Sequence, residues 1–356
     1  RGSVGGSLVA FLLNITDVDP IRFGLIFERF INPSRLDLPD VDLDFMSSRR
    51  EEVIDHLVEH YGQEHVASIS NYSELGSSSS LRSVGSAHEL TPLDFGCSKL
   101  VPKDAGTPHE LTVAMTEVPE IEKFATKFPK IWEESVGLQG TLRSYARHAA
   151  GVIVAGEPIV NRAPIEIRKG SPTVCWDKRV VEDFGLIKLD ILGLSNLDIL
   201  SLAKDYIKER HGIAMDYLSI DLEDEKLLEA FGNGDTAGIF QFESGGMKHL
   251  LKSLREGGKL SFSDVTAATA LFRPGPIDSG LMDMYVNIKQ GVEFENYLHP
   301  AMRPALESTY SVMVYQEQVM QISRDLAGFS FSDADHLRKA MGKKDPLAMA
   351  KIRDQF

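Results

Sequence analysis

Residues 38–45 read LPDVDLDF, which places Asp40, Asp42 and Asp44 at every second position with apolar residues between them. Period-two alternation marks a half-buried β-strand, so the three carboxylates share one face. Such a row repels itself, and strands are normally poor in Asp. A divalent cation would relieve that repulsion, because hard oxygen ligands suit Mg²⁺. A solvated strand face fits the octapeptide equally well, so the surrounding chain has to decide.

Immediately downstream, SSRREEVIDHLVEHYG predicts a helix. Ser48 and Glu51 have capping-box spacing, Val53, Ile54, Leu57, Val58 and Tyr61 recur at helical intervals, and Gly62 is a natural stop. VASIS at 66–70 reads as a second strand, and SELGSSSSLRS after it as a Ser-rich, flexible loop. Residues 84–147 have scattered Pro and Gly with amphipathic pieces such as IEKFATKFPKIWEES, the pattern of a small helical insertion. Strand signals return as GVIVA at 151–155 and LIKLDIL at 186–192. In the latter, Lys188 and Asp190 are two apart and share a face, which extends the site that Asp40 and Asp42 begin. From about residue 196 the chain is helical: NLDILSLAKDYIKERHG is amphipathic and closes at Gly212, and RPGP at 273–276 breaks the later helices.

Bulk properties bound the function. The 356 residues suffice for two or three domains with a substantial core. Apolar residues make up 43% and charged residues 25%, as in globular proteins. The longest apolar run, LVAFLL at 8–13, is far short of a bilayer span, so no membrane partner is expected. Two cysteines, Cys97 and Cys175, offer neither a disulfide framework nor zinc spacing, which places the chain in a reducing compartment. A net charge of −14 argues against indiscriminate coating of nucleic acid, yet a local basic groove on an acidic body remains compatible with a nucleic-acid enzyme. The sequence opens at Arg1 inside a motif and ends at Phe356, which reads as a fragment.

Three features carry chemistry. RGSVGGSLVAFLLN puts Gly and Ser in a loop feeding an apolar helix, where backbone N–H groups can cradle phosphate. It lacks the Lys-Ser/Thr pair of a Walker motif, and a tight turn before a helix reads as well. With the carboxylates, this loop suits phosphoryl transfer assisted by two metal ions. RKAMGKKDPLAMAKIR at 338–353 concentrates Arg338, Lys339, Lys343, Lys344, Lys351 and Arg353 against the single acid Asp345, a cluster able to hold a triphosphate or a nucleic-acid backbone. A solvated helix face is the alternative for that run.

RGSVGGSLVAFLLNITDVDP, IFERFINP, LPDVDLDF, RHAAGVIVAGEPI, GLIKLDILGL, DTAGIFQFESGGMKHLL, LFRPGP, VYQEQVMQI and LRKAMGKKDP occur in this order. Together they closely resemble the bacterial C-family replicative DNA polymerases, of the DNA polymerase III alpha type, over almost the whole chain and least at 73–147. The resemblance implies an α+β fold. A palm of the polymerase-β-like nucleotidyltransferase type, a mixed sheet with helices, spans 1–83 and 148–195. A helical thumb at 84–147 interrupts it, and mostly helical fingers, truncated at the C-terminus, occupy 196–356. It implies a template-directed DNA polymerase using two Mg²⁺ ions, with Mn²⁺ as a substitute, on primer–template DNA and dNTPs. Other replisome subunits are expected partners through regions outside this chain. The expected location is the bacterial cytoplasm or nucleoid, or host cytoplasm for a phage-borne member.

By the same resemblance, Asp40, Asp42 and Asp190 are the catalytic, metal-holding carboxylates, and Asp44 takes no direct metal role. Gly2, Ser3, Lys188, Arg273, Arg338, Lys339, Lys343 and Lys344 match nucleotide-binding positions, and Arg82, Arg147 and His148 are DNA-binding candidates. The chain departs from the family where a lysine and an arginine are usual: Ser78 and Ser86 stand there, with Arg82 kept between them. Losing two cations weakens phosphate contacts, so a catalytically weakened DNA-binding remnant is one competing reading. A template-independent nucleotidyltransferase is another, opposed by the finger motifs DTAGIFQFES and YQEQVMQI.

Overall fold

A computed structural model describes residues 4–31, 41–104, 107–343 and 346–356. The chain is α+β and divides into two compact units, one of residues 38–195 and the other of 1–37 with 196–356. No helix among the described residues is long and apolar enough to cross a membrane.

The 38–195 unit is built on strands β1 (Val41–Met46), β2 (Val66–Glu74), β5 (Leu142–Val154), β6 (Ile165–Arg168), β7 (Ser171–Val174) and β8 (Lys188–Leu194), with a two-residue hairpin of β3 (Lys103–Asp104) and β4 (Thr107–Pro108) beside it. The six form one mixed sheet in the order β1-β8-β5-β2-β7-β6. β1 runs parallel to β8 and β2 parallel to β7, while the other neighbours are antiparallel. Ile69, Ile153 and Ile191 are completely buried in the central strands, each stabilising the fold by about 1.5–3 kcal/mol relative to exposure. The carboxylate-bearing strands therefore rest on rigid, apolar neighbours.

Local readings hold in part. The helix after β1 spans Arg50–Tyr61 and ends at Gly62, whose φ of 95° suits a residue without Cβ. Its start differs from the predicted capping box. Ser47–Arg49 forms a 3₁₀ turn, Arg49 occupies the N-cap position without a side-chain cap bond, and Glu51 pairs with Arg50 instead.

The Ser-rich stretch, expected as a flexible loop, is the helix Ser77–Ala87. Leu81 and Val84 bury one side of it, and small hydroxyls let it approach its neighbours closely. Ser77 Oγ donates to the His109 carbonyl and Ser80 Oγ to the Ser135 carbonyl, both at 2.6 Å. The helices Leu111–Glu117, Pro119–Lys127 and Pro129–Leu138 complete that subdomain around Leu111, Ile121 and Phe124. β5 begins well before the apolar GVIVA, because the polar LRSYAR segment pairs with the second half of β2.

In the other unit, the helices Gly245–Glu256, Phe262–Leu271 and Leu281–Lys289 pack around Leu251, Leu254, Ala268 and Leu271. A buried ion pair, Lys289 Nζ to Asp264 Oδ2 at 2.9 Å, ties the second of these helices to the third. Within the N-terminal segment the backbone folds closely on itself: a Cβ on Gly6 would stand 2.7 Å from the Ile26 carbonyl oxygen. RPGP does not simply break the chain, since Pro274–Asp278 forms a short helix with Arg273 at its N-cap.

Candidate active site

β1 and β8 meet so that Asp42 is the register partner of Asp190, and Asp44 that of Leu192. Partners on neighbouring strands project from one face and stand about 4.8 Å apart along the hydrogen-bonding direction. Two carboxylates at that spacing are unfavourable without a counter-charge. Lys188, two residues before Asp190 and on the same face, supplies one: its ammonium donates to Asp190 Oδ2. Lys188 is buried, with 3% of its side chain exposed, whereas Asp190 keeps 15%. The other oxygen, Asp190 Oδ1, is buried and has no hydrogen-bond partner among the described residues.

A bare, buried carboxylate oxygen beside a second carboxylate is what an oxygen-seeking cation requires. Asp42 and Asp190 thus fit Mg²⁺ as two of its ligands. Asp40, the third expected ligand, lies outside the described residues, and among those described no three His, Cys, Asp or Glu side chains form a group able to hold a metal ion. Behind the pair, Arg50 Nε donates to the Ile191 carbonyl at 2.8 Å, which anchors β8 one residue past Asp190.

The remaining expected residues are placed as follows. Gly2, Ser3 and Lys344 lie outside the described residues, and Lys343 ends the helix Phe331–Lys343. Ser7 caps the five-residue helix that follows the N-terminal loop by accepting from the Ala10 amide. Arg273 is exposed and its Nε donates to the Thr269 carbonyl. Arg338 and Lys339 share the buried carboxylate of Asp335, Arg338 at 2.7 Å and Lys339 at 3.9 Å. Arg82 is exposed on the Ser77–Ala87 helix, its Nε donating to the Ser78 carbonyl. Arg147 is exposed on β5, and His148 beside it is half-buried.

Several polar contacts are not evident from the sequence. Arg29 pairs with Glu317, and Gln316 Oε1 accepts from both Arg29, at 3.4 Å, and Arg338, at 3.2 Å. The segment VYQEQ therefore brackets two guanidinium groups within the second unit. Charged and amide residues inside two otherwise apolar runs, FERF and VYQEQ, were the available signal. On the sheet, Tyr145 stacks against Tyr72 with ring centres 5.5 Å apart, and the Arg168 guanidinium lies 3.5 Å from the Tyr145 ring centre. Donating to Glu166 holds the Tyr145 phenol above its ordinary pKa.

A family model described as the bacterial DNA polymerase III alpha NTPase domain matches residues 1–193, and one described as the same subunit's finger domain matches residues 196–356. The chain belongs to the bacterial DNA polymerase III alpha family. It is 47% identical to the DNA polymerase III subunit alpha of Yersinia pestis and 42% identical to that of Aquifex aeolicus, in both cases over the whole chain. The subunit of Thermus aquaticus is 38% identical over the same extent. The chain spans only 30%, 33% and 30% of those three relatives. In this member of the family, Ser78, Arg82 and Ser86 fall four apart on one helix and form one stripe with a single cation.

Proposed function

We propose that the chain is the catalytic part of a template-directed DNA polymerase, transferring deoxynucleotides from dNTPs to a primer 3′-hydroxyl. The observation that carries this reading is the register pair Asp42–Asp190, with Lys188 on one oxygen of Asp190 and the other oxygen bare. The names of the relatives agree with it.

In this reading residues 1–83 and 148–195 are the palm, 84–147 the thumb and 196–356 the fingers. Asp40, Asp42 and Asp190 would hold two Mg²⁺ ions, which would supply charge stabilisation for the primer hydroxyl and the leaving pyrophosphate. The protein's own work is positional. Lys188 fixes the orientation of Asp190, and Arg50 fixes the strand behind it. Gly2, Ser3, Arg273, Arg338, Lys339, Lys343 and Lys344 bind the nucleotide, a role taken from the family pattern, with Lys188 available to a phosphate as well. Arg82, Arg147 and His148 contact DNA.

Primer extension with Mg²⁺ on templates of different sequence tests the proposal. Incorporation that follows the template supports it. Incorporation without regard to template indicates the simpler nucleotidyltransferase, and DNA binding without incorporation indicates a remnant.

A further inference from the structure

β5 is interrupted beside the carboxylates. Its ladder with β2 runs through Arg147 opposite Ser70 and resumes at Val152 opposite Ser68. Residues 148–151 on β5 thus face Ile69 alone. A bulge of this kind takes backbone amides out of the ladder, and they need other acceptors. Two of them find one side chain: the amides of Ala150 and Gly151 donate to His148 Nδ1 at 3.2 and 2.7 Å. A ring nitrogen that accepts N–H bonds carries no hydrogen of its own, which leaves Nε2 as the donor of this ring. Nε2 points away from those amides and makes no hydrogen bond among the described residues.

The ring also has a defined place on the sheet. Gly151 is the register partner of Asp190, as Asp190 is of Asp42, so the three form one row on one face. A Cβ on Gly151 would stand 3.0 Å from His148 Nδ1. The imidazole therefore occupies the space that a side chain at the third position of the row would fill, next to Asp190.

We infer that the two nitrogens of His148 divide the work: Nδ1 braces the bulge, and Nε2–H, rather than the ring as a whole, makes the substrate contact by donating to a phosphate oxygen bound beside Asp190. This rests on the reading of the Asp42–Asp190 pair as a nucleotidyl-transfer site. An imidazole N–H suits the place, because its single, rigidly aimed donor can meet a phosphate oxygen while the other ring nitrogen stays on the bulge amides. The phosphate belongs either to the backbone of the primer–template or to the triphosphate of the nucleotide.

The two nitrogens can be separated by substitution. His148→Asn leaves an acceptor near the Nδ1 position and removes the distal donor, whereas His148→Gln keeps a distal amide donor and removes the near acceptor. Affinities for a labelled primer–template and for a fluorescent dNTP are measured by anisotropy with Ca²⁺ present, together with Tm. Expected for His148→Asn is a near-parental Tm with about a tenfold loss of affinity for one ligand. Loss on the primer–template assigns the backbone phosphate, in keeping with the DNA contact proposed above, and loss on the dNTP moves His148 from the DNA contacts to the triphosphate. His148→Gln should keep more of that affinity while losing Tm. If His148→Asn binds both ligands as the parent does, the imidazole is only a brace and the inference is overturned. Binding is read without turnover, so an inactive parent that still loses affinity on His148→Asn would sink the catalytic reading alone. A parent that binds neither ligand would sink both.

Discussion

Asp42 and Asp190 stand opposite each other in register on parallel neighbours β1 and β8, and only the latter of the two strands carries Lys188 on the same face. The two carboxylates are therefore not equivalent as targets for mutation. Asp42→Asn keeps the shape, removes one charge from a repelling pair and leaves the Lys188–Asp190 pair intact. Folding stability should be unchanged or slightly higher by thermal unfolding, while primer extension falls by more than about a hundredfold, the scale of several kcal/mol of lost metal-assisted charge stabilisation. Near-parental extension by Asp42→Asn would remove this residue from the metal site.

Much of this arrangement is legible in the sequence, and the illegible part has physical causes. The alternation around Asp42 and the two-residue spacing of Lys188 and Asp190 report which side chains share a face, since a strand has period two. Pairing is a different matter. That one metal site must collect Asp42 and Asp190 places LIKLDIL beside LPDVDLDF, as the register bears out, whereas the parallel direction comes from packing of the whole sheet. Composition makes the stretch Ser77–Ala87 look like a loop because serine has weak helix propensity, and only the family resemblance places a helix after VASIS; its small hydroxyls become useful against the His109 and Ser135 carbonyls. The bulge at 148–151 was missed because it is a relation between strands, visible only once Ser68 and Ser70 have partners.

Lys188 offers a test of metal binding that needs no catalysis. It is a buried cation on a carboxylate whose second oxygen is bare. Lys188→Met leaves that carboxylate uncompensated, and breaking a buried pair from one side typically costs about 3–5 kcal/mol. A divalent ion then replaces the lost charge. Thermal unfolding should show a lower Tm for Lys188→Met in EDTA and a larger Mn²⁺-induced rise than the parent shows, by mass action on the folded state. Equal Mn²⁺ shifts in both proteins would mean that the ion and the ammonium do not share Asp190.

Gly151 is needed for space. Its Cβ would meet His148 Nδ1 and Ile69 Cδ1, each at 3.0 Å, and Ile69 is completely buried. Gly151→Ala should destabilise the sheet unit by about 1–3 kcal/mol, as overpacking does. It should also displace the imidazole from the amides of Ala150 and Gly151, seen as a change in the His148 ring nitrogen shifts by NMR. An unchanged ring spectrum would show that the bulge has room to relax.

The helical unit carries an alkaline liability. Burial pushes the Tyr315 phenol up to about 12 and raises that of Tyr285 further. An unfolded tyrosine titrates near 10. The folded state holds these protons more tightly, so their contribution to stability is complete below about pH 10 and is lost as the pH rises toward 12. Urea unfolding between pH 8 and 11 should show the decline, and Tyr315→Phe should flatten it. A decline of the same steepness in Tyr315→Phe would assign the effect to other groups.

The stripe Ser78–Arg82–Ser86 makes a gain-of-function prediction. Arg82 and Ser86 are exposed and Ser78 is half-buried, so longer side chains at the two serines can reach solvent without entering the core formed by Leu81 and Val84. Ser78→Lys sits in the first turn of the helix, where the dipole is unfavourable to a cation by a few tenths of a kcal/mol. Ser86→Arg sits in the last turn, where the same dipole favours it. If this face meets a nucleic-acid backbone, each new cation that neutralises a phosphate steepens the dependence of log affinity on log salt by about 0.7–0.9. The double variant should therefore bind primer–template more tightly at low salt and lose that advantage as salt rises, measured by anisotropy from 50 to 300 mM KCl. Arg82→Ala should move the slope the other way by about the same amount per contact. A shallow slope identical in all three proteins would mean that this helix faces solvent during DNA binding and that its serines cost that binding nothing.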